Sequence, residues 1–109
     1  MFLIEQALVN LIENAISFSP ANANIIITVT ALEHKMEICI EDEGSGIPEY
    51  AKAHIFERFY SLPRSGEKQK STGLGLCFVK EIARLHGGSI ELQNREPCGV
   101  IARLCLKRN

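Results

Sequence analysis

The stretch STGLGLCFVKEIARLHGG, residues 71–88, joins a glycine-rich loop to an apolar helix. Gly87 stands where such a helix would end. The apolar residues recur at helical spacing: Leu76, Val79, Ile82 and Ala83. The free N–H groups of a glycine loop and the dipole of the helix behind it both attract negative charge. The stretch therefore predicts either a phosphate-binding loop or a tight turn without a ligand, since an isolated GxG pattern fits both.

The composition bounds the possible classes of protein. A chain of 109 residues suffices for one domain with one core, and we expect a single domain over 1–109. A net charge of −1 argues against a nucleic-acid surface. No apolar run is long enough to span a bilayer, so we expect no direct membrane contact. The four cysteines have no metal-ligand spacing, and Cys39 and Cys105, within apolar strand patterns, are expected to be buried free thiols.

Hydrophobic periodicity elsewhere in the chain predicts alternating helices and strands. Helices are predicted over 2–18 and, after Pro48, over 49–59, and a mobile polar loop is predicted over 62–70. The predicted strands are 25–32, 36–42, 89–94 and 99–107. Because these strands are apolar on one face only, the pattern predicts a two-layer α/β sandwich with helices on one face of a mixed, mostly antiparallel sheet.

Strand 25–32 has the clearest alternation. Ile25, Ile27, Val29 and Ala31 would share one face, while Thr28 and Thr30 would point to the other.

Two further segments carry polar groups suited to a ligand. On the first helix Asn10 and Asn14 lie one turn apart, where Asn is a poor helix former. They either bridge neighbouring loops or supply carbonyl oxygens to Mg²⁺. In EDEGSGIP, residues 41–48, a strand ends in acids and breaks at two glycines. Asp42 could accept a hydrogen bond from an amino group while the glycines let a flat ring approach, or the segment is only a turn.

Four segments together resemble the ATP-site boxes of bacterial sensor histidine kinases: NLIENA (10–15), DEGSGIP (42–48), IFERFY (55–60) and STGLGL (71–76). Their order and spacing cover nearly the whole chain, and IFERFYSLPR is similar to the CreC-type sensor kinases. The resemblance implies the Bergerat fold, which gyrase, Hsp90 and MutL share. The P-loop and dinucleotide fingerprints are absent from the sequence.

The resemblance also implies roles for individual residues. Asn14 would ligate Mg²⁺ and Asn10 would lie beside the phosphates, so that both are expected to serve the reaction. Asp42 would accept the adenine amino hydrogen. The base would also contact Phe18, Gly44, Gly46 and Ile47. Phe56 and Phe59 would anchor the movable lid to the body of the domain. The phosphates would meet backbone N–H groups of Thr72, Gly73, Leu74 and Gly75, and Leu76 would belong to the same nucleotide-binding set.

Some positions depart from the family pattern. Ser17 and Ser61 stand where the family often has a lysine and an arginine, so two cationic contacts to phosphate are missing. Arg58, Arg64 and Lys70 are the candidates to replace them.

The activity implied is transfer of the ATP γ-phosphoryl group to a histidine on the dimerisation domain of the same kinase, upstream of a response regulator. The preceding strand and that dimerisation domain are not in the sequence, so we expect a cytoplasmic fragment of a protein anchored in the bacterial inner membrane, which binds ATP with little turnover. Two alternatives stay open: an ATP hydrolase of the gyrase, Hsp90 and MutL class, which has Glu where Asn10 stands, and a non-catalytic nucleotide-sensing module.

Overall fold

The computed structural model of the chain describes residues 2–57 and 75–107. The elements are α1 (Phe2–Phe18), β1 (Ile26–Ala31), β2 (Lys35–Glu41), a 3-10 turn (Glu49–Ala51), α2 (Gly75–Leu85), β3 (Ser89–Asn94) and β4 (Val100–Lys107). The strands form one sheet in the order β1-β2-β4-β3, and each neighbouring pair is antiparallel. The predicted helix–strand order is therefore confirmed outside 49–59.

Both helices bury their apolar stripes against one face of the sheet. On α1 the buried residues Ala7, Leu11 and Ala15 follow helical spacing, and the core residues of α2 are Val79, Ile82 and Ala83. The sheet contributes Ile38, Ile40, Ile90, Ala102, Leu104 and Leu106. The predicted two-layer sandwich is confirmed. In the described ranges neither helix is long and apolar enough to cross a membrane.

Helix α2 ends where the sequence predicts. Gly87 takes a φ of +71°, and the Gly88 N–H donates to the Ala83 carbonyl at 2.8 Å. This pattern is the Schellman motif, which satisfies carbonyls that the helix leaves unpaired. His86 Nδ1 lies 2.8 Å from the Ile82 carbonyl oxygen and adds a side-chain cap.

The predicted helix after Pro48 is wrong for the part of 49–59 that the structure describes. Only Glu49–Ala51 forms a 3-10 turn, and the N–H groups of Ala51, His54 and Glu57 each donate to the carbonyl three residues earlier. Ala51 and Ile55, three and seven residues after Pro48, are both buried along this tighter path. Tertiary contacts override the local helical pattern here.

Strand β1 lies at an edge of the sheet and is less covered than its pattern suggests. The register pairs Ile27 with Ile40 and Val29 with Ile38, so the predicted common face is confirmed and is the face that the helices cover elsewhere. Yet Ile27 is 50% exposed and Val29 60% exposed. The helices pack over β2, β3 and β4, which leaves this part of the apolar face open.

The predicted burial of Cys39 and Cys105 is wrong, because both lie on the sheet face opposite the helices and are only partly buried. Their sulfurs lie 3.6 and 3.7 Å from the two carboxylate oxygens of Glu37. Partial burial, and then the Glu37 charge, raises the pKa of both thiols, so both remain protonated at neutral pH.

Candidate functional site

Asp42 follows the last residue of β2 and is buried, with 6% of its surface exposed. Its Oδ1 accepts two backbone hydrogen bonds, from the Gly44 N–H at 2.9 Å and the Val100 N–H at 3.1 Å. Its own N–H donates to the Val100 carbonyl at 3.0 Å. Within the described ranges, Oδ1 accepts both hydrogen bonds to this carboxylate.

Gly44 sits where a side chain could not. A Cβ on this residue would lie 2.4 Å from the carbonyl oxygen of Phe18, the last residue of α1. The loop after β2 and the C-terminal end of α1 are therefore in backbone contact, which explains the requirement for glycine. Phe18 and Asp42, two of the residues predicted to meet a base, are brought to the same end of the molecule.

The far end of this loop is attached to β3. Asn94 Oδ1 accepts from the Ile47 N–H at 2.6 Å, and Asn94 Nδ2 donates to the Ile47 carbonyl at 3.1 Å. Gly46 has a φ of +89°, and a Cβ there would lie 3.0 Å from Asn94 Oδ1. One carboxamide thus holds both backbone groups of Ile47.

The turn between β3 and β4 packs against the other side of Asp42. Gly99 has a φ of +104°, and a Cβ there would lie 1.9 Å from the Asp42 carbonyl oxygen. Arg95 secures this turn, since its Nε donates to Glu41 at 3.1 Å and its Nη1 to the Cys98 carbonyl at 3.3 Å. The position of the Asp42 backbone is therefore set by the start of β4 as well as by β2.

The start of α2 lies beside α1 at a second end of the candidate site. A Cβ on Gly75 would be 4.0 Å from the carboxamide carbon of Asn10. Asn10 and Asn14 are both partly buried on α1. Phe18 comes eight positions after Asn10, which is about 12 Å along a helix at 1.5 Å per residue. The two ends of the candidate site are thus joined by one rigid helix.

The predicted site residues do not all fall within the described ranges. Arg58, Phe59, Arg64, Thr72, Gly73 and Leu74 lie outside them, as does the segment 62–70 that was predicted to be mobile. The side chain of Leu76 packs against the core. Leu76 is only partly buried, and the contact predicted for it stays a prediction.

Sequence reasoning missed Asn94 and Gly99. Asn94 ends a predicted strand and Gly99 begins the next, so each looks like ordinary punctuation between strands. Their contacts are with Ile47 and Asp42, about half the chain away. The sequence around Asn94 and Gly99 therefore does not indicate that they contact Ile47 and Asp42.

A family model and several known proteins match this chain. A family model described as histidine kinase-, DNA gyrase B- and HSP90-like ATPase matches residues 2–109. The sensor protein CreC of Escherichia coli K12 is 50% identical over 98% of this chain. The heme sensor protein HssS of Staphylococcus epidermidis RP62A is 42% identical over 94% of the chain. The chain spans 22% of the length of each of these two relatives.

Two solved structures superpose on most of this chain. The catalytic domain of the histidine kinase ThkA, in a nucleotide-free form, superposes with a TM-score of 0.84 and 34% identity, covering 97% of this chain and 67% of that one. Full-length ShkA in complex with AMPPNP superposes with a TM-score of 0.77 and 25% identity over 95% of this chain and 21% of its own.

Proposed function

This chain belongs to the histidine kinase-, DNA gyrase B- and HSP90-like ATPase family, and on that basis we propose that it binds Mg-ATP and donates the γ-phosphoryl group to a histidine. The acceptor would lie on the dimerisation domain of the same kinase, and a response regulator would act downstream. Relatives named as sensor proteins and histidine kinases support this assignment over a hydrolase. The domain would work in the cytoplasm, attached to a parent protein in the bacterial inner membrane.

The buried carboxylate of Asp42 is the observation that carries the proposal. A charged group with 6% exposure needs hydrogen bonds to offset its desolvation, and Oδ1 receives two of them from the backbone. The second oxygen would then accept a hydrogen from the exocyclic amino group of adenine. Gly44, whose backbone lies against that of Phe18, keeps the loop that carries this carboxylate close to the end of α1.

The phosphates would lie near Asn10, in the middle of α1, and near the start of α2. Backbone N–H groups at a helix start favour anions, and Gly75 adds no side chain in front of them. The donor set also fits a divalent cation, because the Asn14 carboxamide oxygen is a hard ligand of the kind Mg²⁺ accepts. When bound, Mg²⁺ would supply positive charge beside the phosphate oxygens.

The chain's own part in the transfer would be to hold the nucleotide. Phosphoryl transfer leaves little covalent chemistry to the protein, so positioning and charge stabilisation account for most of the catalysis. Asp42 and Ile47 would fix the base, and Asn10 would keep the phosphates in line with the incoming histidine. Arg58 and Arg64 would replace the cationic contacts missing at Ser17 and Ser61. Alone, the chain would turn ATP over slowly, because Asn10 is a poor base for activating water.

The test is calorimetric titration of Mg-ATP and Mg-GTP against the wild type and Asp42→Asn. The amide keeps an oxygen for the Gly44 and Val100 N–H groups, while its NH₂ cannot accept the adenine hydrogen. Losing a charged hydrogen bond of about 1.5–3 kcal/mol should weaken ATP binding about ten- to a hundredfold. Glu91→Gln, which removes an exposed carboxylate on β3, is the matched control and should bind like the wild type.

Equal ATP affinity in Asp42→Asn and the wild type would remove Asp42 from the site. A second measurement separates kinase from hydrolase. Steady turnover by the chain alone at about 1 per second or faster, the range of ordinary enzymes, would contradict the proposed transfer to a histidine.

A further inference from the structure

The loop from Asp42 to Ile47 is fixed at both ends by strands other than the one it follows. At its start, the Asp42 backbone and carboxylate bind Val100, the first residue of β4. At its end, Ile47 binds the Asn94 carboxamide at the end of β3. The ladder between β2 and β4 pairs residues only as far as Glu41, so these contacts hold the loop where the ladder has stopped.

The Asn94 side chain binds both backbone groups of Ile47, as a residue on a neighbouring strand would. The carboxamide offers one acceptor and one donor in a plane, which matches the N–H and C=O of a single residue. Only the orientation with Oδ1 on the N–H at 2.6 Å and Nδ2 on the carbonyl at 3.1 Å satisfies both groups of Ile47. Gly46 allows the close approach, since its Cβ would lie 3.0 Å from Oδ1.

We propose that Asn94 is a positioning residue that sets adenine specificity by fixing Ile47 relative to Asp42. This inference rests on the proposed function, in which Asp42 reads the amino group and Ile47 lies against the base. Because Asn94 and Val100 end and begin paired strands, the separation of Asp42 from Ile47 is set by the sheet. Without Asn94, Ile47 can move away, and the base loses its defined distance from the Asp42 carboxylate.

The first measurement uses the nucleotide-free protein. Amide hydrogen exchange at Ile47 should be faster in Asn94→Ala than in the wild type, because the N–H loses its acceptor. Asn94→Asp keeps an acceptor oxygen but no donor, and should retain most of the protection at Ile47. Gln93→Ala is the matched control: it is the preceding residue on β3, and its side chain binds Arg103 instead of the loop. Unchanged exchange at Ile47 in Asn94→Ala would overturn the inference.

The second measurement is the ratio of ATP to GTP affinity in the same three variants. Losing two hydrogen bonds to an exposed side chain should weaken ATP binding about fivefold or more. GTP, which lacks the amino group that Asp42 would read, should change little, so the ratio falls by a similar factor. Asn94→Asp should be intermediate and Gln93→Ala unchanged. A merely structural role would weaken the binding of both nucleotides by the same factor and leave the ratio unchanged.

The outcomes separate this inference from the proposed function. Faster exchange at Ile47 with an unchanged ATP-to-GTP ratio overturns the positioning role and leaves the proposed function intact. A wild type that does not prefer ATP refutes adenine recognition by Asp42, and with it the role assigned to Asn94. Faster exchange together with a reduced ratio, both partly restored in Asn94→Asp, supports the inference.

Discussion

Strands β4 and β1 carry similar alternations of apolar residues but lie in different surroundings. On β4 the alternate residues Leu104 and Leu106 are 0% and 6% exposed, whereas Ile27 and Val29 on β1 are 50% and 60% exposed. All four point to the same side of one sheet. The difference arises because α2 packs over β4 and α1 over β2. A strand's pattern fixes which residues share a face, and the helices decide how much of that face is buried.

The candidate site belongs to the covered half of the sheet. Asp42 follows β2, and its partners Gly99 and Val100 lie at the start of β4. Substitutions in this half should therefore affect both stability and nucleotide binding, whereas matched substitutions on β1 should affect stability less and nucleotide binding little.

The largest expected effect is at Ile40 on β2. It is compared with Ile27 on β1, which is its partner in the strand register. Ile40 is 2% exposed, so Ile40→Ala should lower the free energy of unfolding by about 2–5 kcal/mol. Ile27→Ala removes the same atoms from a half-exposed site and should cost about half as much or less. Urea unfolding followed by circular dichroism gives both values, and equal losses would show that β1 is as well covered as β2.

A smaller effect, with consequences for binding, is expected at Gly99. Gly99→Ala forces a side chain into a φ of +104° and against the Asp42 carbonyl. This should lower the free energy of unfolding by about 1–3 kcal/mol and weaken ATP binding. Gly87→Ala is the control, since its φ is also positive but its nearest neighbour is the Lys107 side chain and not Asp42. That variant should lose stability without losing ATP affinity. If both variants bind ATP normally, Gly99 does not position Asp42.

The smallest expected effect is on β1 itself. Val29→Lys places a charge on a 60% exposed position, and should change the free energy of unfolding by no more than about 0.5 kcal/mol. The charge should also reduce any association through this apolar edge, because charged side chains oppose edge-to-edge pairing. Sedimentation over a range of concentrations measures this. Its register partner Ile38, which is 6% exposed, should not tolerate the same change. A large loss of unfolding free energy in Val29→Lys would contradict the exposure of this face of β1.

Local pattern was enough to predict most of the fold. The stripes of α1 and α2 and the alternation of the four strands depend on near neighbours, so their bounds agree with the structure to within about two residues. The segment after Pro48 differs because the burial of Ala51 and Ile55 selects a tighter turn. The exposure of β1 depends on where helices pack, which the alternation within a strand does not contain.

The candidate site was predictable in part. Asp42, Gly44 and Phe18 converge as the motifs imply, although their roles toward a nucleotide remain predictions. Asn94 and Gly99 were missed because their partners are distant in sequence. The sequence around a strand end or a turn glycine does not indicate which distant residue it contacts.

The two backbone bonds to Asp42 Oδ1 limit how this domain could be engineered. An exchange of base preference would ordinarily begin by replacing the residue that reads the base. The Asp42 carboxylate, which is proposed to read the base, also joins the loop after β2 to the first residue of β4. A designer seeking a guanine-specific variant would therefore keep an oxygen acceptor at position 42, so that the Gly44 and Val100 N–H groups stay hydrogen-bonded.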